Sequence, residues 1–218
     1  MAESLTINNK EYTIIKKLGK GTYGKVFLVE DKKEKKQYAI KKILLENYNE
    51  NNKKYIETEI ENFSKIGKND NTDNDNNNIV KYYKSYNDNE NFYIFMEYCE
   101  GQSLREFINE KKNKNELIEE EIIYGYILDI CLGIKTIHDK NIIHRDLKPE
   151  NLFLTKDKKN IKIGDFGIAR QLDNQKQLVS SKIGTPEYAA EVHEKKTKNI
   201  ILKQIYGPLD ALFMNCSL

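Results

Sequence analysis

A change of hydrophobic period near residue 100 constrains this chain more than any other feature. Before it lie short runs rich in β-branched and aromatic residues: Tyr12 to Leu18, Lys25 to Glu30, Gln37 to Ile43, Ile79 to Tyr86 and Asn91 to Tyr98. Bounded by polar turns such as Asp31 to Lys36 and Asn87 to Glu90, the later runs predict strands. One stretch, Tyr48 to Ile66, places Ile56, Ile60, Phe63 and Ile66 at helical spacing and predicts a helix with one apolar face. After the change the period is helical. Ser103 to Asn109 predicts a short helix, and Glu116 to Lys140 a long one with Ile118, Ile122, Ile127, Ile130, Ile134 and Ile137 on its apolar face. Two short strands follow, at Leu152 to Leu154 and Ile161 to Ile163. Strands first and helices later predict an α+β architecture.

The segments divide as a lead (1–11), a β-rich part (12–96), a connector (97–102), a helical part (103–192) and a tail (193–218). The tail has no clear period until Ile201 to Met214. Asparagine is abundant, with 25 residues, and many lie in the tract 67–78, which predicts a polar surface insertion that buries nothing.

Charge and cysteine content narrow the function classes. There are 36 basic and 34 acidic residues, a net charge of +2, which argues against a dedicated nucleic-acid binder. No apolar run approaches the ~18–20 residues of a membrane span. Met1 to Lys10 lacks the apolar core of a secretory signal. Cys99, Cys131 and Cys216 are odd in number and lack metal-site spacing, so they predict reduced thiols and a cytoplasmic or nuclear setting.

Two strings carry chemistry. Gly19-Lys-Gly21-Thr-Tyr-Gly24-Lys-Val26 has glycines that let backbone approach a phosphate closely. A dinucleotide-binding loop of this form opens a helix, whereas here strands follow. A phosphate-covering hairpin and an ordinary glycine-rich turn both remain open on this string alone. The second string is Ile143-His-Arg-Asp146-Leu-Lys148-Pro-Glu-Asn151. Asp146 and Asn151, five apart in a proline-containing loop, can face one pocket. A carboxylate can orient a hydroxyl or accept its proton, and an amide oxygen suits Mg²⁺. Lys148 can reach a transferred phosphate. Fourteen residues after Asn151 stands Asp165, a second hard oxygen ligand, before Phe166 and Gly167.

With these motifs in this order, residues 12–192 resemble the eukaryotic Ser/Thr protein kinase family. The resemblance implies a two-lobed fold, a β-rich N-lobe and a helical C-lobe joined by a hinge at 97–102. It implies ATP and Mg²⁺ as cofactors and protein Ser/Thr hydroxyls as substrate. Gly19, Gly21 and Gly24 would cover the phosphates, with Val26 and Ala39 at the adenine. Lys41 would hold the α- and β-phosphates and pair with Glu59, Glu61 being the alternative. Met96 would close the back of the adenine pocket. Glu97 and Cys99 would offer backbone groups to the base, and Phe153 would lie under it. Asp146 would be the catalytic aspartate, Lys148 the γ-phosphate lysine, and Asn151 and Asp165 the Mg²⁺ ligands. His144 would support the turn at Asp165.

Lys148, with Gly184-Thr185-Pro-Glu-Tyr188, resembles the Ser/Thr rather than the tyrosine pattern. Ser181, with Ser180 beside it, is the expected phosphosite, captured by Arg145. The strings 96–101, 151–154 and 164–170 are similar to NIMA-related kinases. Beyond Glu191 the pattern departs from the family: the expected proline is absent, and Ile205 to Phe213 resembles a degraded start of the central helix. This reads as a C-lobe truncated after the activation segment, whose exposed surface a partner would cover. Two readings therefore stand: an ATP-dependent Ser/Thr protein kinase, and a catalytically incompetent fragment acting as a nucleotide-binding or interaction module.

Overall fold

The computed structural model describes residues 3–21, 24–48, 50–67, 78–142, 144 and 146–165, with the side chains of 47, 50–52, 55, 59 and 62 excepted. The chain forms two compact units: one comprises Met1–Thr72 and Val80–Tyr98, the other Asp73–Ile79 and Cys99–Leu218. The boundary at 98/99 falls inside the expected connector.

The first unit is a six-stranded antiparallel sheet with one helix. Its strands are β1 (Ser4–Ile7), β2 (Lys10–Gly21), β3 (Gly24–Asp31), β4 (Gln37–Leu44), β5 (Tyr82–Asn87) and β6 (Asn91–Met96). They lie in the order β1-β2-β3-β4-β6-β5. The first strand corrects the expected lead: residues 4–7 pair with β2, and Ile7 is buried. The helix, α1 (Glu50–Gly67), buries Ile56, Ile60, Phe63 and Ile66, the face its spacing predicts. Phe63 packs edge-on against Tyr82. Side chains alternate across the sheet, so it has two faces. One carries Ile7, Tyr12, Val29, Tyr38, Ile40, Tyr93 and Phe95 as a cluster rich in aromatics.

The second unit contains α2 (Leu104–Asn113), α3 (Glu120–Asp139) and the hairpin β7 (Leu152–Leu154) with β8 (Ile161–Ile163). A reciprocal cap starts α2. The Ser103 hydroxyl accepts from the Glu106 N–H, and the Glu106 carboxylate accepts from the Ser103 N–H. This helix runs four residues beyond the expected end at Asn109 because its polar end is itself helix-forming. Helix α3 begins at Glu120, so Ile118 lies outside it, and its buried set is Ile123, Tyr126, Ile130, Ile134 and Ile137. Ile122 and Ile127 are only half-buried.

Both ends of the Asn-rich tract belong to structural elements, which corrects its reading as insertion from end to end. Gly67 closes α1, where a Cβ would stand 2.7 Å from the Tyr82 Cβ. Asn78 donates to Asp129 on α3 at 2.7 Å, and its carbonyl accepts from the Ile163 N–H at 2.8 Å.

Candidate active site

In the first unit, hairpin register gathers the predicted nucleotide residues. Gly19 opposes Val26 and Gly21 opposes Gly24 across β2 and β3. The glycines differ in what requires them. A Cβ at Gly24 would lie 2.1 Å from the Lys42 carbonyl oxygen, so β4 itself demands glycine there. A Cβ at Gly19 would meet no atom within 4 Å. The strand backbone at Gly19 thus faces open space, as close approach by a phosphate requires.

Val26, Lys41 and Ile94 form one cross-strand row, and Leu28, Ala39 and Met96 the next. Val26, Ala39, Lys41 and Met96 therefore share one face of the sheet, with Ala39 and Met96 buried and Lys41 half-buried. Leu18, exposed and directly before Gly19, is an apolar candidate that the glycine pattern does not single out. Glu59 lies within α1, and its side chain is outside the described residues; Glu61 is exposed. The Glu97 N–H donates to the Lys81 carbonyl, and its carboxylate accepts from the Lys81 N–H. Any backbone contact from Glu97 to a base must then use its carbonyl. Cys99 is half-buried.

In the second unit, the loop from His144 to Asn151 is a hydrogen-bonded cluster. Asp146 Oδ2 lies 3.0 Å from the Lys148 ammonium. Asn151 Nδ2 donates to the Asp146 carbonyl at 2.7 Å and to its Oδ2 at 3.1 Å. Both amide hydrogens thus go to Asp146, which turns the amide oxygen away from it. The turn that positions Asn151 starts at Pro149, whose fixed φ suits a first helical position.

His144 is buried, and burial pushes its imidazole below the ordinary value; the Gly164 carbonyl opposes this less strongly. Its Nδ1 accepts from the Asp146 N–H, which places the proton on Nε2, 3.0 Å from the Gly164 carbonyl. The Gly164 N–H in turn donates to the Asn151 carbonyl at 2.9 Å. Asp165 follows in the left-handed region, φ 50°, a conformation Asp tolerates better than most residues. Asn151 and Asp165 are thereby held on one hydrogen-bonded frame. Phe153 is half-buried, between the fully buried Leu152 and Leu154, on the other face of β7.

Among the described residues, no group of three or more His, Cys, Asp or Glu could hold a metal ion. One amide and one carboxylate fit an ion that keeps its remaining ligands from water and phosphate, as Mg²⁺ does. Arg145, Phe166, Gly167, Ser180, Ser181, Thr185 and Glu191 lie outside the described residues.

A protein kinase domain family model matches residues 12–200. The chain belongs to the protein kinase domain family. It is 37% identical over 190 residues to human serine/threonine-protein kinase Nek5, covering 87% of this chain and 25% of that protein. It is 36% identical over 191 residues to mouse serine/threonine-protein kinase Nek1 (87% and 15%) and over 187 residues to human serine/threonine-protein kinase Nek11 (84% and 27%). These matches bear out the resemblance to NIMA-related kinases. The chain spans about a quarter or less of the length of the first two relatives. No described helix is long and apolar enough to cross a membrane.

Proposed function

We propose that this kinase domain binds Mg·ATP and transfers the γ-phosphate to Ser or Thr hydroxyls of protein substrates. The observation that carries the reading is the Asp146 carboxylate, fixed by Lys148 and Asn151 at 3.0 and 3.1 Å. A carboxylate so held can orient a hydroxyl and take its proton. Lys148 beside it supplies positive charge where the transferred group develops negative charge.

Gly19, Gly21 and Gly24 would lie over the phosphates, Lys41 would hold two of them, and Glu59 would pair with Lys41. Val26, Ala39, Met96 and Phe153 would supply apolar contacts to the base, with backbone groups of Glu97 and Cys99 at its polar edge. Asn151 and Asp165 would hold Mg²⁺. When bound, Mg²⁺ neutralises phosphate charge. His144 is a positioning residue that ties Asp146 to the strand end preceding Asp165. The odd number of cysteines without metal-site spacing supports a cytoplasmic or nuclear setting, which imaging of a tagged chain would test.

The test is transfer of label from γ-³²P ATP to a generic protein substrate, followed by phosphoamino-acid analysis. Label on serine or threonine is expected. Mg·ATP binding without transfer would favour the interaction-module reading.

A further inference from the structure

The aromatic face of the first unit's sheet also carries charge that the nucleotide reading does not use. Lys20 opposes Lys25 across β2 and β3, and Lys25 opposes Lys42 across β3 and β4. Three lysines on three adjacent strands thus form one cross-strand row. Lys17 opposes Phe27 one step along, on the same face. The row shares its face with Tyr93 and Phe27, the aromatic side of the sheet, and the Lys42 ammonium sits over the Tyr93 ring. Lys41, one residue from Lys42, is on the other face.

Like charges directly opposite one another destabilise a sheet. Three other lysines of this unit are paired with acids: Lys10 with Glu34, Lys32 with Glu11, Lys35 with Glu30. Lys17, Lys20, Lys25 and Lys42 make no ion pair with any described residue. The strip thus gathers four positive charges with no carboxylate of a described residue paired to any of them. One exposed apolar side chain, Leu44, stands two residues beyond Lys42 on the same face.

We propose that this strip is a docking surface for an acidic, extended segment of a partner protein. An extended chain presents alternate side chains to one side, so carboxylates at every second residue can face the lysines. Single-stranded nucleic acid is the poorer fit, because it needs exposed rings for base stacking, and Tyr93 is only 3% exposed. The inference stands apart from the phosphotransfer reading, since it requires no nucleotide.

Fluorescence anisotropy tests it, with the 218-residue chain and a labelled peptide of about twelve alternating Asp and Ser residues. Binding is expected, falling about tenfold or more as NaCl rises from ~0.05 to ~0.5 M. The triple variant Lys20→Glu/Lys25→Glu/Lys42→Glu should lose binding, and the milder Lys→Gln triple should weaken it about tenfold while melting like the parent. Lys112→Glu, at an exposed position on α2, should bind as the parent does. Equal binding by parent and Lys→Gln triple would overturn the proposal. So would no binding by a parent with a cooperative melt, or tighter binding to an oligothymidylate of equal length that the triple variants abolish.

Discussion

Asn151 commits both amide hydrogens to Asp146, one to its backbone carbonyl at 2.7 Å and one to its carboxylate at 3.1 Å. Asn151 is buried, so the pair is shielded from competing water. Asn151→Ala should therefore cost about 1–3 kcal/mol of stability, the scale for a buried polar partner left unpaired. It should also raise the Mg²⁺ concentration needed for half-maximal ATP binding. Thermal melting and nucleotide titration at several Mg²⁺ concentrations measure the two effects. An unchanged Mg²⁺ requirement would remove Asn151 from the proposed metal site.

The glycines of the β2–β3 hairpin should separate stability from binding. Gly24→Ala places a Cβ 2.1 Å from the Lys42 carbonyl, so it should destabilise the sheet by about 1–3 kcal/mol. Gly19→Ala meets no atom and should leave melting within about 0.5 kcal/mol of the parent. It should nonetheless weaken Mg·ATP about tenfold, or about 1.4 kcal/mol, by blocking backbone approach. Equal ATP affinity in Gly19→Ala and parent would contradict the placement of phosphate at Gly19.

Asp129 is an anchor that no motif announces. Its carboxylate accepts from Asn78 Nδ2 at 2.7 Å, the Ile161 N–H at 2.8 Å and Asn160 Nδ2 at 3.3 Å, and the residue is buried. Asp129→Ala should cost about 2–3 kcal/mol, with faster amide exchange at Ile161. Asp129→Asn should cost less, because it keeps an acceptor. Parent-like exchange at Ile161 in Asp129→Ala would count against this role.

His144 gives the loop a pH dependence of defined sign. Its imidazole lies below the ordinary value of 6.5 in the folded chain because it is buried. Between the folded value and 6.5 the unfolded chain binds more protons, so stability rises with pH there. The contribution is fully present above about 6.5 and is lost as pH falls below it. His144→Gln should flatten that part of a melting-temperature profile. Identical profiles for the two proteins would contradict a buried neutral imidazole.

The sequence made some elements legible and hid others for physical reasons. The α1 face was readable because Ile56, Ile60, Phe63 and Ile66 are its well-spaced apolar residues. The phase of α3 was not, because isoleucine, leucine and tyrosine occupy nearly all sides of it. Tyr126 is buried through its ring, with its hydroxyl donating to the Lys158 carbonyl, while Tyr124, Leu128 and Leu132 are exposed. An isoleucine-only pattern therefore selects Ile122 instead of Ile123. Strand β1 is four residues long and carries two apolar side chains, too few for periodicity to register. The candidate site was more legible than the fold around it, because Asp146, Lys148 and Asn151 are close in sequence and chemically distinctive. The Asn78–Asp129 contact spans 51 residues and joins two common polar types, so only folding brings it into view.

The proposed phosphotransfer rests on Asp146 as held by Lys148 and Asn151. The most direct measurement is γ-³²P transfer to a protein substrate by the parent and Asp146→Asn side by side, with Mg·ATP affinity measured on both. A turnover loss of about 10²–10⁴-fold in the variant at similar ATP affinity is expected. Transfer by Asp146→Asn at the parental rate, or none by a parent that binds Mg·ATP, would contradict it.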